Sequence, residues 1–320
     1  MDHGSWAQAV HEGMGTLLMH KAYGRHPLWA LRAVQREVRR LERLLSRFDP
    51  KSEISRINRS AGLGRIKLSR ETYALLSRAQ EISKLSEGAF DITVGPLIKL
   101  WDYKHSNIVP DETEILKAIS LVGFSGLQLD ATSMTAKLGL PGQMIDLGGV
   151  GKGYASDRAM EVFRGRGITS AFTNIGGNVS TLGSKPDGSP WQVGIRHPRH
   201  EDQLIGAVSV SGQSVVTSGD YERYFIDQQG VRRHHLLDPL TGYPADSGLV
   251  SVTVVHETAM LADALSTAVF VSGMDKGLKL LEKIPTAQAV LVDQNLDVHV
   301  TKGLKDRFEP ARGIRADIKP

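Results

Sequence analysis

The chain of 320 residues contains no cysteine. That absence removes disulfide frameworks, zinc–thiolate and iron–sulfur sites, thiol nucleophiles and a lipid-anchor cysteine, without fixing the compartment. Long apolar runs are missing as well. No stretch approaches the roughly 18 residues that signal a membrane-spanning helix. Residues Met1 to Gly15 carry acidic residues and histidines but no apolar run, so they do not read as a signal peptide. Met1-Asp2-His3 reads as a native start, and the expected location is the cytoplasm. No single sign of charge dominates: 39 Lys and Arg against 35 Asp and Glu give a formal +4. Much of the basic excess is Arg32, Arg36, Arg39, Arg40 and Arg43, opposite Leu31, Val34, Val38, Leu41 and Leu45 at helical spacing. That pattern predicts the solvated face of an amphipathic helix. No interleaved aromatics or reader motif accompany it, so no nucleic-acid partner is expected. The spacings His-x-x-x-His and HExxH are also absent, which removes the common histidine-based zinc motifs.

What remains is ordinary globular material, 41% hydrophobic and 23% charged, enough to bury a core. Periodicity predicts helices over 28–46, from the Ser46–Glu53 turn through Asn58, over 70–86 (Tyr73, Leu76, Ala79 and Ile82 on one face) and over 111–120. An extended start is expected over 14–24, and a β-prone core over 87–97 between glycine and proline. A glycine-rich turn, Asp146-Leu147-Gly148-Gly149-Val150-Gly151-Lys152-Gly153, should open a helix over 154–166. Short strands follow, including Gln192–Ile195, Ile205–Ser211 and Leu249–Val255. Helices over 259–272 and 275–283 and a strand over 287–293 close the pattern. The expected class is α+β, with mixed sheets and packed helices in one compact unit over 1–320 around a central cleft. A subdomain split is possible near 125–140, where helix-rich sequence gives way to strand-rich sequence.

Several segments carry chemistry. In Ala262-Asp263-Ala264-Leu265-Ser266-Thr267, Asp263 and Thr267 are four apart and share a helix face. A carboxylate and a hydroxyl there suit a hard cation such as Mg²⁺, which takes oxygen ligands and leaves positions for substrate phosphates. The glycine turn departs from both the Walker A and the Rossmann patterns. Its glycines, the helix N-terminus and Lys152 still suit an anion, and a plain strand-to-helix turn accounts for the same residues. Asn174-Ile175-Gly176-Gly177-Asn178 and Thr217-Ser218-Gly219-Asp220-Tyr221 read as two further polar turns. His234 and His235 should point opposite ways on a strand, so one of them at most joins a given site.

Taken together, these blocks resemble one family. Met14-Gly15-Thr16, Phe48-Asp49-Pro50-x-Ser52-Glu53, Gly88 to Leu97 through Trp101, Asp146 to Tyr154, Asn174–Gly177, Thr217–Tyr221, His235-Leu236-Leu237-Asp238-Pro239-x-Thr241-Gly242 and Ala262–Thr267 are similar to the blocks of the ApbE-type FAD:protein FMN transferases. They occur in family order over about 14–273. The resemblance implies that FAD lies in a cleft with Mg²⁺ bridging its pyrophosphate to the protein. It implies metal ligation by Asp263, Thr267 and the Gly149 carbonyl, with Ser266 where some members carry an extra acidic ligand. It implies FAD contacts at Met14, Phe48, Ala89, Phe90, Asp91, Asp146, Lys152 and Leu237, and a proton acceptor at His235. The implied reaction moves FMN from FAD to a serine or threonine hydroxyl of an acceptor protein and releases AMP. The implied acceptors are flavoprotein subunits of respiratory complexes or reductases that carry a short Ser/Thr flavinylation motif. Two alternatives stay open at this level: hydrolysis of FAD to FMN and AMP on the same site, and flavin binding without turnover.

Overall fold

The computed structural model describes residues 5–319. Met1-Asp2-His3, on which the expectation of a native cytoplasmic start rests, lie outside them. The elements run β1 (Trp6–Gly13), β2 (Thr16–Tyr23), α1 (Pro27–Leu45), α2 (Glu53–Arg59), β3 (Ile66–Lys67), α3 (Arg70–Leu85), α4 (Gly95–Trp101) and α5 (Glu112–Ile119). Next come β4 (Leu127–Asp130), β5 (Thr135–Leu138), α6 (Gly151–Gly165), β6 (Ser170–Ile175), β7 (Asn178–Leu182), β8 (Trp191–Arg196) and β9 (Leu204–Val210). The chain continues through β10 (Ser214–Gly219), β11 (Tyr224–Ile226), β12 (Arg232–His234), β13 (Leu249–His256), α7 (Ala259–Glu282), β14 (Gln288–Asp293), β15 (Val298–Thr301), β16 (Phe308–Pro310) and β17 (Ala316–Lys319).

Among the described residues a nine-stranded sheet, β1-β2-β6-β7-β10-β13-β14-β15-β17, forms the backbone of an α+β fold. Both of its faces are covered. Helices α1, α6 and α7 pack on one face through Val34, Val38, Ala155, Phe163, Leu265 and Phe270. The small sheet β16-β9-β8 covers the other through Trp191, Val193, Val208, Val290 and Val300. Strand β13 is therefore buried along its whole length, which is why it reads as a near-continuous apolar run rather than an alternating one. A bulge between Leu249 and Ser251 shifts its register against β14. The sheet β3-β5-β4, from the region of the possible split, places Leu127, Ala136 and Leu138 in the same core as the helices.

Helix α1 begins on Pro27, where a missing N–H costs nothing, and buries Leu31, Val34, Val38, Leu41 and Leu45. Arg32, Arg36, Arg39 and Arg43 are exposed on the opposite face. Arg40 departs from that stripe. It pairs with Glu37 at 2.8 Å and Glu71 at 2.7 Å, and Tyr154 also donates to Glu71, which links α1, α3 and α6. Helices α2, α3 and α5 start on Ser52, Ser69 and Asp111, whose side chains accept backbone N–H bonds.

Four local expectations change. The extended start is a hairpin, because Met14 and Gly15 at φ 51° and 71° reverse the chain between β1 and β2. The β-prone segment 87–97 forms no strand. Asp91 Oδ1 accepts from both the N–H and the hydroxyl of Thr93, and Pro96 lacks a ladder donor, so the segment turns and enters α4. Helix α6 starts at Gly151, inside the glycine turn. The run Thr217–Gly219 belongs to strand β10, so the turn begins only at Asp220. The expected break between the two C-terminal helices is present: α7 is interrupted at Gly273, whose φ of 80° is non-helical.

Candidate active site

The site residues gather at one end of the central sheet, where the β1–β2 turn, the β6–β7 turn, the end of β10 and the starts of α6 and α7 meet. Helices α6 and α7 approach closely there because Gly153 has no side chain. A Cβ on it would lie 2.4 Å from the Ala259 carbonyl oxygen and 2.8 Å from Asp263 Cβ. The same approach lets the Gly153 N–H donate to Asp263 Oδ2 at 2.9 Å. Asp263 is only 4% exposed. Burial pushes its carboxyl above the usual carboxylate range, opposed by the Lys152 charge, the Gly153 N–H and the Asn178 side chain.

Thr267 lies one helical turn on. A Cβ on Gly149 would sit 3.1 Å from the Phe90 ring and 3.6 Å from Thr267 Oγ1, so the glycine turn faces this hydroxyl directly. Ser266 is fully buried and committed inward. Its hydroxyl donates to the Asp263 carbonyl at 2.9 Å and meets Ser218 Oγ at 2.8 Å. Among the described residues no group of three or more His, Cys, Asp or Glu side chains is placed to hold a metal ion. The oxygen set is instead one carboxylate, one hydroxyl and the backbone of Gly149. Such a low-charge, hard-oxygen set fits Mg²⁺ that shares its remaining positions with phosphate oxygens.

Lys152, on the first turn of α6, lies 3.5 Å from Asn178 Oδ1, and its charge acts on both Asp263 and His235. His235 sits where the β11–β12 ladder ends. Its backbone N–H donates to the Arg223 carbonyl at 3.0 Å, and its Nδ1 lies 3.2 Å from the same oxygen. A neutral ring there donates through Nδ1–H, which leaves the Nε2 lone pair as a proton acceptor. Burial, then the charges of Arg223, His234 and Lys152, push the imidazole below its ordinary 6.5 and hold it neutral. The residue keeps part of its surface in solvent. His234 points elsewhere: Nε2 is 3.1 Å from the Ala245 carbonyl, and the ring packs edge-on against Phe270. Asp238 accepts from the Leu240 N–H and serves its own turn, so the Arg223 carbonyl orients His235. The loop is anchored by buried Trp101, whose Nε1–H donates to the Gly242 carbonyl at 2.8 Å.

The sequence of residues 14–291 matches the ApbE family model. The chain belongs to the ApbE family. Among its relatives, a Klebsiella pneumoniae protein named FAD:protein FMN transferase is 37% identical over 299 residues, covering 93% of this chain and 92% of its own. One of the same name from Treponema pallidum is 34% identical over 313 residues, covering 92% and 86%. The crystal structure of the ApbE protein of Thermotoga maritima superimposes with a TM-score of 0.88 at 34% identity, over 95% of this chain and 99% of that one. The flavin transferase ApbE of Vibrio cholerae gives 0.86 at 26% identity, with the same coverage.

On this ApbE scaffold the expected flavin contacts fall into three groups. Met14, Phe90 and Lys152 border the Asp263–Thr267 face: Met14 Cε lies 3.7 Å from where a Cβ on Gly151 would stand. Asp146 accepts from the Gly148 N–H at 2.7 Å and pairs with Arg47 at 2.5 Å. Arg47 in turn lies 4.2 Å over the ring of Phe48, which is 78% exposed. Arg47, Phe48, Pro50, Asn58, Arg59 and Lys99 help line a cavity of about 370 Å³ whose basic rim suits a phosphate-bearing aromatic ligand. The third group is held by protein neighbours. The Asp91 carboxylate is spent on Thr93, Ala89 stands in the preceding turn, and the Leu237 side chain is buried with Leu97, Trp101 and Phe225. A larger cavity of about 440 Å³ lies beside α3 and α6 and contains none of these residues; its Asp157 accepts the Ala259 and Met260 N–H groups at the start of α7.

Sequence reasoning missed Arg47 and Arg223 and left Ser218 and Asn178 as turn residues. Arg47 adjoins Phe48 and was open to notice. Ser218, Arg223 and Asn178 join the site only through long-range contacts.

Proposed function

We propose that this protein transfers FMN from FAD to a serine or threonine hydroxyl of an acceptor protein, using Mg²⁺. The observation that carries the proposal is the buried Asp263 carboxylate held by the Gly153 N–H at the start of α6, with Lys152 on that same turn and Gly149 facing Thr267. Asp263, Thr267 and Gly149 would hold the cation, which supplies Lewis-acid stabilisation of charge on phosphoryl oxygens. Lys152 adds a fixed positive charge beside the same phosphates. His235 Nε2 accepts the proton of the acceptor hydroxyl as that oxygen attacks the FMN-side phosphorus. A new P–O bond forms to the acceptor, the P–O bond to the adenylate breaks, and AMP leaves. The acceptor is proposed to be a flavoprotein subunit of a respiratory complex or reductase.

The test is incubation with FAD and Mg²⁺, with and without a candidate acceptor, following AMP release and a covalent FMN mass increase. Labelling that depends on the acceptor supports the reading. AMP released equally without acceptor points to hydrolysis, and FAD that stays intact for hours points to a binding protein. Asp263→Asn keeps the volume and removes the charge. Labelling should fall by more than about tenfold at limiting Mg²⁺, the scale of losing a cation's contribution to phosphoryl transfer. Wild-type labelling by Asp263→Asn under those conditions removes the metal assignment.

A further inference from the structure

Strand β1 ends the nine-stranded sheet, and among the described residues no strand pairs with its outer edge. The register shows which groups that edge offers. The Gly24 N–H donates to the Ser5 carbonyl at 2.9 Å, and Gly13 and Thr16 close the two-residue turn at the other end. Hydrogen-bonded pairs alternate along an antiparallel ladder, so Ala7, Ala9, His11 and Gly13 spend their N–H and C=O groups on β2. Those of Trp6, Gln8, Val10 and Glu12 point away from the sheet, and among the described residues none meets a backbone partner there. Sheets usually blunt such an edge with proline, lysine, a bulge or a short strand. Strand β1 has eight residues, none of them proline or lysine, and its register against β2 is unbroken. One face is open as well. The small sheet packs as far as Tyr23, against Trp191, and leaves Trp6, Val10 and the neighbouring Leu17 exposed. The edge leads into the site, because β1 stops one residue before Met14. Helix α1 follows it: Gln35 Nε2 lies 3.4 Å from His11 Nδ1, and Glu42 Oε1 accepts the Met14 N–H at 2.8 Å. Arg32 and Arg39 share that stripe of α1 by helical spacing and are exposed on it.

We propose that the outer edge of β1 docks the acceptor protein: an extended acceptor segment adds to the sheet as a further strand, sets acidic side chains toward Arg32 and Arg39 and apolar ones beside Trp6 and Val10, and carries its serine or threonine past the Met14 turn to the flavin phosphate. Transfer needs a polypeptide hydroxyl at the phosphorus, so a stretch of acceptor chain must lie at the mouth of the site. An open edge that runs to that mouth holds such a stretch through main-chain hydrogen bonds, while alternate side chains supply the choice of partner. The exposed arginines favour an acidic segment. They disfavour a second copy of this chain, because continuing the sheet from β1 to β1 brings two arginine stripes together on one face.

This inference rests on the transfer reading proposed above. The full-length protein with FAD and Mg²⁺ is assayed against an acceptor subunit that the wild type labels. Val10→Pro removes only an outward N–H, which an edge strand tolerates, and leaves the ladder to β2 intact. Its KM for the acceptor should rise by about tenfold, the scale of one lost hydrogen bond. Its kcat and FAD affinity should stay within about twofold, because the segment is held equally before and during transfer. Arg39→Glu should also raise KM and weaken its dependence on salt. Hydrogen exchange on the wild type supplies a reading that needs no variant: the amides of Gln8, Val10 and Glu12 should exchange fast in the free protein and slow when acceptor saturates it. An unchanged KM in folded Val10→Pro, or edge amides that acceptor leaves unprotected, overturns the inference while transfer stands. A KM that Arg39→Glu leaves unchanged overturns the acidic character of the segment. Protection that appears without acceptor and grows with protein concentration assigns the edge to a second copy and overturns the inference. A wild type that labels no acceptor removes both readings.

Discussion

At the scale of single residues, His235 is the group whose role is most exposed to test. Its Nδ1 is occupied by the Arg223 carbonyl, so Nε2 is the basic atom, and the neutral form is favoured. His235→Ala should lower the transfer rate by roughly 10²–10⁴-fold, the span expected of a general base. FAD affinity should change little, because a base acts mainly in the transition state. Because the imidazole is held below 6.5, the acid limb of the rate profile should lie below that value, with activity falling as the ring protonates. Stopped-flow or mass-resolved labelling across pH checks both. Equal rates for folded, FAD-loaded wild type and His235→Ala, or an acid limb that persists in the variant, would assign the proton transfer elsewhere.

At the scale of elements, the crossing of α6 over α7 sets the Asp263–Thr267 face. Gly153 permits it, and the sequence run that looks like a phosphate-loop glycine is here a helix-contact glycine. Gly153→Ala places a methyl group against the Ala259 carbonyl and the Asp263 side chain. Overpacking of that kind costs about 1–3 kcal/mol. A urea titration should show the loss as a lower midpoint, and the Mg²⁺ requirement should rise because Asp263 moves with α7. A variant as stable as wild type with an unaltered metal response would mean that the helices part without consequence. The two hairpin turns act similarly on their own strands: Met14-Gly15 and Gly176-Gly177 aim Met14 and Asn178 into the same end of the sheet.

At the scale of the whole molecule, covering both faces of the sheet buries groups that the unfolded chain leaves in water. His20, on β2, is fully buried, with neither ring nitrogen hydrogen-bonded, and its ring lies 5.1 Å from that of His11. Burial, then the neighbouring His11, lowers its pKa to about 3. The unfolded chain therefore binds more protons than the native state between that value and about 6.5. Its contribution is intact above 6.5 and is lost progressively as pH falls. Asp157 acts oppositely: burial raises its carboxyl to about 6, so its contribution is present at low pH and lost as pH rises through that value. The two are separated by comparing wild type with His20→Leu, which leaves Asp157 common to both. From pH 6.5 to 5, wild type should lose about 2 kcal/mol relative to His20→Leu, measured by denaturant midpoints. A constant difference between the two proteins across that range would show that His20 titrates normally in the fold.

Much of this was legible locally. The periodicity of Leu31, Val34, Val38 and Leu41 set α1, that of Tyr73, Leu76, Ala79 and Ile82 set α3, and the α+β class followed from where strand-like and helical runs alternate. The oxygens of Asp263 and Thr267 share a face by helical spacing alone, and the order of the motif blocks carried the family resemblance. These are effects of backbone geometry and neighbours within a turn or two, and a linear sequence contains them. Tertiary structure decided the rest. Residues 87–97 are the exception: their β-forming side chains mask a local effect, the Asp91–Thr93 contact and the proline at 96. The bond from Gly153 to Asp263 spans 110 positions. Asn178 meets Lys152 across 26 positions, and Ser218 meets Ser266 across 48. Contacts of that range depend on how helices and strands stack, because burial makes each polar group find a partner wherever the fold places one.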